Sequence, residues 1–203
     1  MDTQERNDTY MSIAAPSEGI YKEKGSKFLA FAYPVMSEEE IKAHLERIRK
    51  EYYDARHHCY AYRLGLEGNV WRMNDDGEPS STAGRPIFGQ IQSAGLSDIL
   101  IVVVRYFGGI KLGVPGLINA YRSAAADAIS NGRTIEKVAA EAFSVTFDYA
   151  AMDKVMRTLK DMGITPQMSS AGTACRIEAR VRLRDTGRFE DRMREAEAVV
   201  AHL

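Results

Sequence analysis

The strongest hydrophobic pattern in the chain lies at residues 98–107. Residues 99–104 are continuously apolar, as in a strand that is covered on both faces of its sheet. The glycine-rich segment GGIKLGVPG follows at 108–116, and residues 115–130 then have the spacing of a helix that Asn131-Gly132 ends. The pattern predicts a buried strand, a glycine turn and a helix in succession.

Weaker patterns precede this central segment. Residues 1–17 are polar and predict a loose N-terminal arm, without the apolar core of a signal peptide. Residues 19–35 alternate like a β-hairpin that turns at Gly25-Ser26, and Ser37 with Glu40 forms a capping box that begins a helix. The remaining predicted elements are strands at 57–64 and 70–73, a loop at 74–85 and a short helix from Pro86 to Ser93.

The pattern begins again after the segment 131–140, which is the best candidate for a domain boundary. From there the sequence predicts strand, helix, strand, strand and helix, nearly the order of a ferredoxin-like domain. These elements are expected at 142–148, 152–162, 164–169, 173–184 and 189–200. Little chain remains for a closing strand. We therefore expect an α+β protein of two domains, 18–135 and 136–203, preceded by the arm.

Composition limits the possible functions. The formal net charge is -1, so no overall field attracts nucleic acid or a membrane, and anion binding requires a local patch. The two cysteines, Cys59 and Cys175, form no CxxC pair, so no zinc site is expected, and no motif requires a cofactor. The longest apolar run is too short to span a bilayer. We expect a cytoplasmic protein without a membrane partner, and the oligomeric state stays open.

The glycine turn is the first candidate site. Its glycines permit a tight turn and the close approach of a ligand, and the helix after it points free amides toward the turn. Arg105 and Lys111 add positive charge, so the segment suits an anion or a phosphate. It matches neither GxxxxGK[ST] nor GxGxxG, and a purely structural turn is an equal alternative. The glycines concerned are Gly108, Gly109, Gly113 and Gly116.

An acidic loop is the second candidate. Asp75, Asp76 and Glu78 lie within four residues, and Thr82 follows them. Clustered carboxylates can bind Mg²⁺ or transfer protons. The spacing misses the EF-hand pattern, and an Asp-Gly turn whose polar groups cap the backbone is the favoured alternative.

The third candidate is the sequence His57-His58-Cys59. Since neighbours on a strand point to opposite faces, only His57 and Cys59 share a side. They could form a nucleophile pair. The favoured alternative is one buried histidine, one surface histidine and an inert core cysteine.

A basic strand near the C-terminus is the fourth candidate. Apolar residues at 175–183 alternate with charged ones, so one face is core and the other carries arginines. Such a face could follow a phosphate backbone, but it lacks aromatic residues for base stacking. A solvated face paired with nearby acids is the slightly favoured alternative. The four arginines are Arg176, Arg180, Arg182 and Arg184.

Several motifs occur together in one order. DDGEPSSTAGRP (75–86) precedes VVVRYFGGIKLG (102–113), with KGSKF (24–28) and DARHHCYAY (54–62) upstream and GLINAY (116–121) downstream. This combination resembles the YigZ/IMPACT family over nearly the whole chain.

Two positions depart from the family pattern. Ser81 stands where the family usually has glycine, and Pro115-Gly116 replaces a usual Gly-Gly pair. The proline removes one amide donor from the turn.

The resemblance implies a fold and a cellular context. It implies an N-terminal domain like the second domain of ribosomal protein S5 and a ferredoxin-like C-terminal domain similar to domain V of elongation factor G. The eukaryotic relatives act in translational control, by competing for an activator of the amino-acid-starvation kinase. The resemblance supplies no catalytic residues.

Three functions remain open. The favoured one is a non-enzymatic, translation-related binding protein that contacts RNA, the ribosome or a translation factor through the glycine turn and the basic strand. The second is an enzyme acting on a phosphorylated small molecule or nucleotide, which requires the acidic loop to lie against the glycine turn. The third is a protein-partner adaptor in stress-linked translational control, with an exposed aromatic patch. The patch would come from Tyr60, Tyr62, Trp71, Tyr106 and Phe107.

Overall fold

The computed structural model describes residues 8–171 and 174–203. The chain divides into two compact units, which we name the N-terminal unit, Tyr10–Lys137, and the C-terminal unit, Val138–Leu203 with the described residues before Tyr10. Both units combine helices with β-sheet.

The N-terminal unit is built on a five-stranded antiparallel sheet in the order β2-β3-β6-β4-β5, and β1 pairs with β7 in a separate two-stranded sheet. The strands are β1 Thr9–Ile13, β2 Ser17–Glu23, β3 Ser26–Pro34, β4 His57–Leu64, β5 Val70–Asn74, β6 Ile99–Tyr106 and β7 Thr134–Val138. The helices are α1 Glu38–Glu51, α2 Gly84–Ser93 and α3 Gly113–Asn131.

The central strand β6 confirms the prediction of a strand covered on both faces. Ile99, Ile101 and Val103 pack against α2 and α3, while the alternate residues of β6 pack on the side of α1. All six residues from Ile99 to Val104 are 0% exposed. Fully burying one such side chain contributes about 1.5–3 kcal/mol, so β6 makes a large hydrophobic contribution to this unit. Among the described residues, no helix is long and apolar enough to cross a membrane.

Local geometry follows the sequence closely at two turns. The β2–β3 hairpin turns on Lys24 and Gly25, whose φ angles are 48° and 79°, one residue earlier than predicted. Two successive left-handed residues match the twist of paired strands. At α1, Ser37 Oγ accepts a hydrogen bond from the Glu40 amide at 3.2 Å, which confirms the predicted cap.

The prediction of a loose arm is wrong for Thr9–Ile13, which form β1. The reason lies in burial, because Ile13 enters the core and Ser12 Oγ donates to the Asp98 carbonyl at 3.2 Å. The buried Asp98 carboxylate accepts hydrogen bonds from Tyr10 Oη at 2.5 Å and Lys137 Nζ at 3.0 Å. Lys137 belongs to β7, which occupies part of the predicted boundary segment. Residues 1–7 of the predicted arm lie outside the described residues.

The C-terminal unit has a four-stranded antiparallel sheet in the order β11-β8-β10-β9. Phe143, Val145 and Ile177 on one face of this sheet pack against the helices in a single core, while the opposite face is largely polar. The strands are β8 Ala140–Phe147, β9 Gln167–Ala171, β10 Ala174–Arg182 and β11 Val199–His202, and the helices are α4 Met152–Asp161 and α5 Thr186–Glu195.

The expectation that too little chain remains for a closing strand is wrong. The helix α5 ends at Glu195 instead of continuing to Val200, because Glu197 adopts a left-handed φ of 62° and redirects the chain. Val199–His202 then pair with β8. The unit therefore has the order strand, helix, strand, strand, helix, strand. Thr173, the predicted start of the third strand, lies outside the described residues.

Close packing of β2 on α3 predicts a large effect of Gly19→Ala. A Cβ at Gly19 would lie 2.2 Å from the Ala128 amide nitrogen, which is backbone and has no room to yield. We expect a loss of about 1–3 kcal/mol in the free energy of unfolding, measured by urea titration. Trp71, the only tryptophan of the chain, reports on this unit by fluorescence.

The matched control is Gly89→Ala in α2, where an added Cβ meets nothing within 4 Å. This variant should be neutral or gain up to about 1 kcal/mol, since alanine favours a helix over glycine. Equal urea midpoints for the Gly19→Ala variant and the parent protein would contradict the packing described above.

Candidate functional site

Three of the predicted features meet at one cleft in the N-terminal unit. The cleft has a volume of about 840 Å³ and lies at the end of β6 and the first turn of α3. Lys111 and Gly113 of the glycine turn line it, together with Glu78 of the acidic loop and His57 of β4. Residues that are far apart in sequence thus form a single candidate site.

A buried ion pair forms the floor of this cleft. Arg105 Nη1 lies 2.6 Å from Glu78 Oε1, and the two side chains are 9% and 3% exposed. Tyr121 Oη donates to the same carboxylate oxygen at 2.7 Å. A buried charge without a partner costs several kcal/mol, so the pairing fixes the acidic loop against β6.

The position of Arg105 follows from the alternation of β6. Ile101, Val103 and Arg105 are two residues apart, so Arg105 extends from the same face into the space beside α3. Its guanidinium carbon lies 5.5 Å from the ring centre of Phe28 and 5.7 Å from that of Phe107. Cation–π contacts on two rings hold the cation in place.

His57 presents one ring nitrogen toward the floor. Its Nδ1 lies 2.8 Å from the Asp76 carbonyl oxygen, which can only accept, so Nδ1 carries the hydrogen. The other nitrogen, Nε2, lies 4.0 Å from Glu78 Oε1. His57 is therefore oriented so that Nε2 can accept or hold a proton at the cleft.

The other polar groups of the acidic loop bond to backbone groups of the loop itself, of α2 and of β4. The Asp75 carboxylate accepts from the amides of Ser81 and Gly84 at 2.8 Å and of Ala83 at 3.0 Å. Asp76 Oδ2 accepts from the His58 amide at 2.7 Å, and Thr82 Oγ1 donates to the Pro79 carbonyl at 2.6 Å. Of the predicted acidic residues, Glu78 is the one that lines the cleft. Within residues 8–171 and 174–203, no group of His, Cys, Asp and Glu side chains could hold a metal ion.

His58 and Cys59 are structural. His58 is buried, and its Nε2 lies 2.9 Å from the Tyr52 carbonyl oxygen. Cys59 Sγ lies 3.0 Å from the Asp75 carbonyl oxygen and 3.3 Å from Tyr121 Oη. Burial raises the pKa of the Cys59 thiol, so a nucleophilic thiolate is disfavoured here.

The four glycines of the turn have different roles. Gly108 and Gly116 are required by close packing, whereas Gly109 and Gly113 adopt left-handed backbone angles. The Gly108 amide donates to Ser26 Oγ at 3.1 Å, and a Cβ at Gly108 would lie 1.9 Å from the Gly25 carbonyl carbon. Gly109 and Gly113 adopt left-handed φ angles of 90° and 71°. The Gly116 position faces Leu112 at 2.9 Å, so it too serves packing.

The start of α3 carries no side-chain cap. Its N-cap residue is Leu112, whose side chain accepts no hydrogen bond, so the first amides of the helix are free of side-chain acceptors. Gly113 and Val114 line the cleft and are exposed. Pro115 contributes no donor. Uncapped amides at a helix start favour an anion.

Two exposed cations lie at the mouth of the cleft. Arg56 and Lys111 line it, and neither has an ion-pair partner in the described part of the chain. Asp54 also lines the cleft, and its carboxylate accepts a hydrogen bond from Tyr106 Oη at 2.7 Å. Arg105 and Glu78 neutralise each other. The remaining charged residues, Arg56, Lys111 and Asp54, give the mouth an excess of positive charge.

The structure places two of the four predicted arginines differently from Arg176 and Arg180. Arg182 binds the buried Asp8 through two bonds of 2.8 and 2.9 Å, and Arg184 lies beyond the end of β10 in a 3-10 turn. Arg176 and Arg180 remain exposed on the outer face of the sheet, with Glu178 between them. Their partners on β8 are threonine and alanine, so no aromatic platform lies beside them there.

The aromatic residues proposed as an adaptor patch do not form one surface. Tyr60 and Tyr62 are buried, whereas Trp71 and Phe107 are 50% and 56% exposed. Trp71 lies on β5, and its ring centre is 5.0 Å from that of Phe88. Phe107 instead lines the cleft.

Sequence reasoning missed the role of three residues in this cleft. Arg56 and Tyr121 are part of the motifs DARHHCYAY and GLINAY, and Phe107 was assigned only to the adaptor patch. Tyr121 could have been found from its spacing, because it lies one helical turn after the buried Leu117 and so faces the same side.

Comparison with known proteins assigns the chain to a family. The profile of the Impact N-terminal domain matches residues 24–129, a segment that contains every residue lining the cleft. YvyE, an IMPACT family member from Bacillus subtilis, is 29% identical over 187 residues, 92% of this chain and 86% of YvyE. YigZ, an IMPACT family member from Escherichia coli, is 35% identical over 144 residues, 70% of this chain and 71% of YigZ. The chain belongs to the IMPACT family.

A solved structure resembles the fold over nearly its full length. The crystal structure of a hypothetical protein matches with a TM-score of 0.76 and 26% identity, over 97% of this chain and 98% of that protein. The described architecture is thus shared with an experimentally determined relative.

The buried ion pair predicts a large effect of Glu78→Gln. The change keeps the side-chain volume but leaves Arg105 without a counter-charge, so the free energy of unfolding should fall by about 3–5 kcal/mol. Glu46→Gln makes the same change at an exposed position of α1 and should stay within about 0.5 kcal/mol. Replacing Arg105 by methionine in the Glu78→Gln background should restore much of the loss. Similar urea midpoints for all variants would refute the pairing.

Burial of Cys59 predicts selective thiol labelling. At about pH 8, close to the ordinary thiol pKa of about 8.5, a disulfide reagent should modify the partly exposed Cys175 and spare Cys59 until the protein unfolds. The Cys175→Ser variant should then show no fast reaction, and Cys59→Ser should keep it. Fast labelling of native Cys175→Ser would show that Cys59 is accessible.

Proposed function

We propose that this protein is a non-enzymatic, translation-related binding protein of the cytoplasm that holds RNA by its phosphates at the cleft of the N-terminal unit. The observation that carries this proposal is the pair of unpaired cations, Arg56 and Lys111, beside the uncapped start of α3. Exposed cations and free helix amides are the groups that bind a phosphate backbone. The ribosome and translation factors are alternative translation-related partners.

Fold considerations support the same class. We infer that the N-terminal unit, corresponding to the domain 18–135, has the fold of the second domain of ribosomal protein S5. The C-terminal unit, corresponding to 136–203, has the strand order β11-β8-β10-β9 and alternates strands with helices, which supports a ferredoxin-like assignment similar to elongation factor G domain V. These folds recur in translation proteins, and the eukaryotic relatives act in translational control. Fold analogy alone does not assign a function, so the proposal rests mainly on the charged groups of the cleft.

Arg176 and Arg180 provide a second phosphate contact in this proposal. They lie on one face of β10 and are exposed. Their contact would be independent of sequence, because hydrogen bonds to phosphates carry no base information.

Salt dependence of RNA binding tests the proposal. Transfer RNA should bind at low salt, with a plot of log affinity against log salt that falls steeply. Lys111→Gln should weaken binding and reduce the magnitude of that slope by about 0.7–0.9, the value expected for one lost phosphate contact. Lys42→Gln, an exposed cation on α1, is the matched control and should leave the slope unchanged. Undetectable binding at low salt, or affinity independent of salt, would overturn the proposal.

An enzyme acting on a phosphorylated small molecule is the second candidate. It is favoured by the placement of His57 Nε2, 4.0 Å from Glu78 Oε1, in the same cleft as Lys111. His57→Gln separates the two functions: it should abolish any turnover of nucleotides or sugar phosphates and leave RNA affinity unchanged. Absence of turnover in the parent protein across such a panel would remove this candidate.

A further inference from the structure

Exposed apolar residues precede and follow Lys111 in the sequence, and two of them, Phe107 and Val114, line the cleft. Phe107 and Ile110 are both 56% exposed and Val114 is 51% exposed, and all three lie within four residues of Lys111. A phosphate contact alone gives no reason for large apolar side chains in solvent at this point. Grouped exposure of apolar residues usually marks a binding surface.

Phe107 is held in a defined position. One side of its ring is covered by the Arg105 guanidinium, whose carbon lies 5.7 Å from the ring centre. More than half of the residue remains exposed, and it lines the cleft. An aromatic ring fixed in this way can stack against a planar ligand group at little entropic cost.

One buried donor of a cleft-lining residue lacks an acceptor in the described residues. Arg105 lines the cleft with its side chain 9% exposed, and its Nε is buried without a hydrogen-bond partner in the described residues. Buried donors without partners are rare in native structures. The volume of about 840 Å³ also lies in the range of about 300–1,000 Å³ typical of small-molecule sites, which is more than a lone phosphate needs.

We infer that the cleft accepts one nucleotide unit, with its base stacked on Phe107 and its phosphate at Lys111 and the first amides of α3. This inference rests on the proposed function and adds what the RNA presents there. An unpaired nucleotide in a loop or at an end can reach a stacking ring, whereas a base inside a duplex cannot. The same chemistry fits a free nucleoside monophosphate, and the test distinguishes the two sources.

Calorimetric titration with four small ligands tests the pocket. Adenosine 5′-monophosphate should bind about five- to a hundredfold more tightly than ribose 5-phosphate, since stacking a base contributes on that scale. Adenosine should bind more weakly than its monophosphate, and inorganic phosphate should resemble ribose 5-phosphate. Equal affinity for adenosine monophosphate and ribose 5-phosphate would overturn the inference.

Variants assign the contacts. Phe107→Leu keeps an apolar side chain but removes the ring, so it should weaken adenosine monophosphate at least about fivefold without changing ribose 5-phosphate. Phe107→Tyr should retain affinity. Lys111→Gln should weaken both phosphate ligands, while Trp71→Leu, an exposed aromatic on β5, should weaken neither. An unchanged affinity of Phe107→Leu for the nucleotide would overturn the stacking contact.

Single-stranded RNA and a duplex of the same sequence separate the inference from the proposed function. Preference for the single strand, lost in Phe107→Leu, supports both. Equal binding of strand and duplex overturns the inference and leaves the RNA proposal standing. Binding of the monophosphate without binding of any RNA at low salt overturns the RNA proposal and leaves the nucleotide pocket standing.

Discussion

The N-terminal unit depends on a charge that lies inside its core. Arg105 continues the buried face of β6, where an arginine without a partner would be strongly destabilising. Glu78 supplies the counter-charge, and Tyr121 supplies a second bond to the same carboxylate. One ion pair therefore ties a loop, the central strand and a helix together. The cleft is the space that these three elements leave above the pair.

This constraint explains why the motifs that identify the family occur together. Asp75 organises the backbone of its loop, Asp76 joins the loop to β4, and Glu78 joins it to β6. These acidic residues of the motifs thus form hydrogen bonds and an ion pair that hold the cleft together. Arg56 and Lys111, at the mouth of the cleft, have no ion-pair partner in the described part of the chain. These cations, and not the carboxylates, are therefore the groups available to a ligand.

Features that depend on neighbouring residues could be predicted from the sequence, whereas features that depend on residues far apart in sequence could not. The alternation of β6 is a local property of the chain, so both its burial and the side on which Arg105 lies follow from residues 99–105. The distinct duties of Asp75 and Glu78 do not, because each depends on partners that are remote in sequence. The strand β11 was missed for another reason: Phe189 and Met193 have helical spacing, and Val199 and Val200 extend that apolar pattern. A left-handed residue at Glu197 interrupts it, and glutamate gives no warning of that conformation.

The contact between Gly25 and Gly108 limits where the glycine turn can leave the sheet. The hairpin tip and the end of β6 approach each other through main chain, and the Gly108 amide donates a hydrogen bond to Ser26. A side chain at Gly108 would collide with the Gly25 backbone, so the chain directly after Phe107 has a fixed course. The exposed side chains of Ile110 and Val114 carry no such restriction. The turn can therefore change in sequence at these two positions while its point of departure from the sheet stays the same.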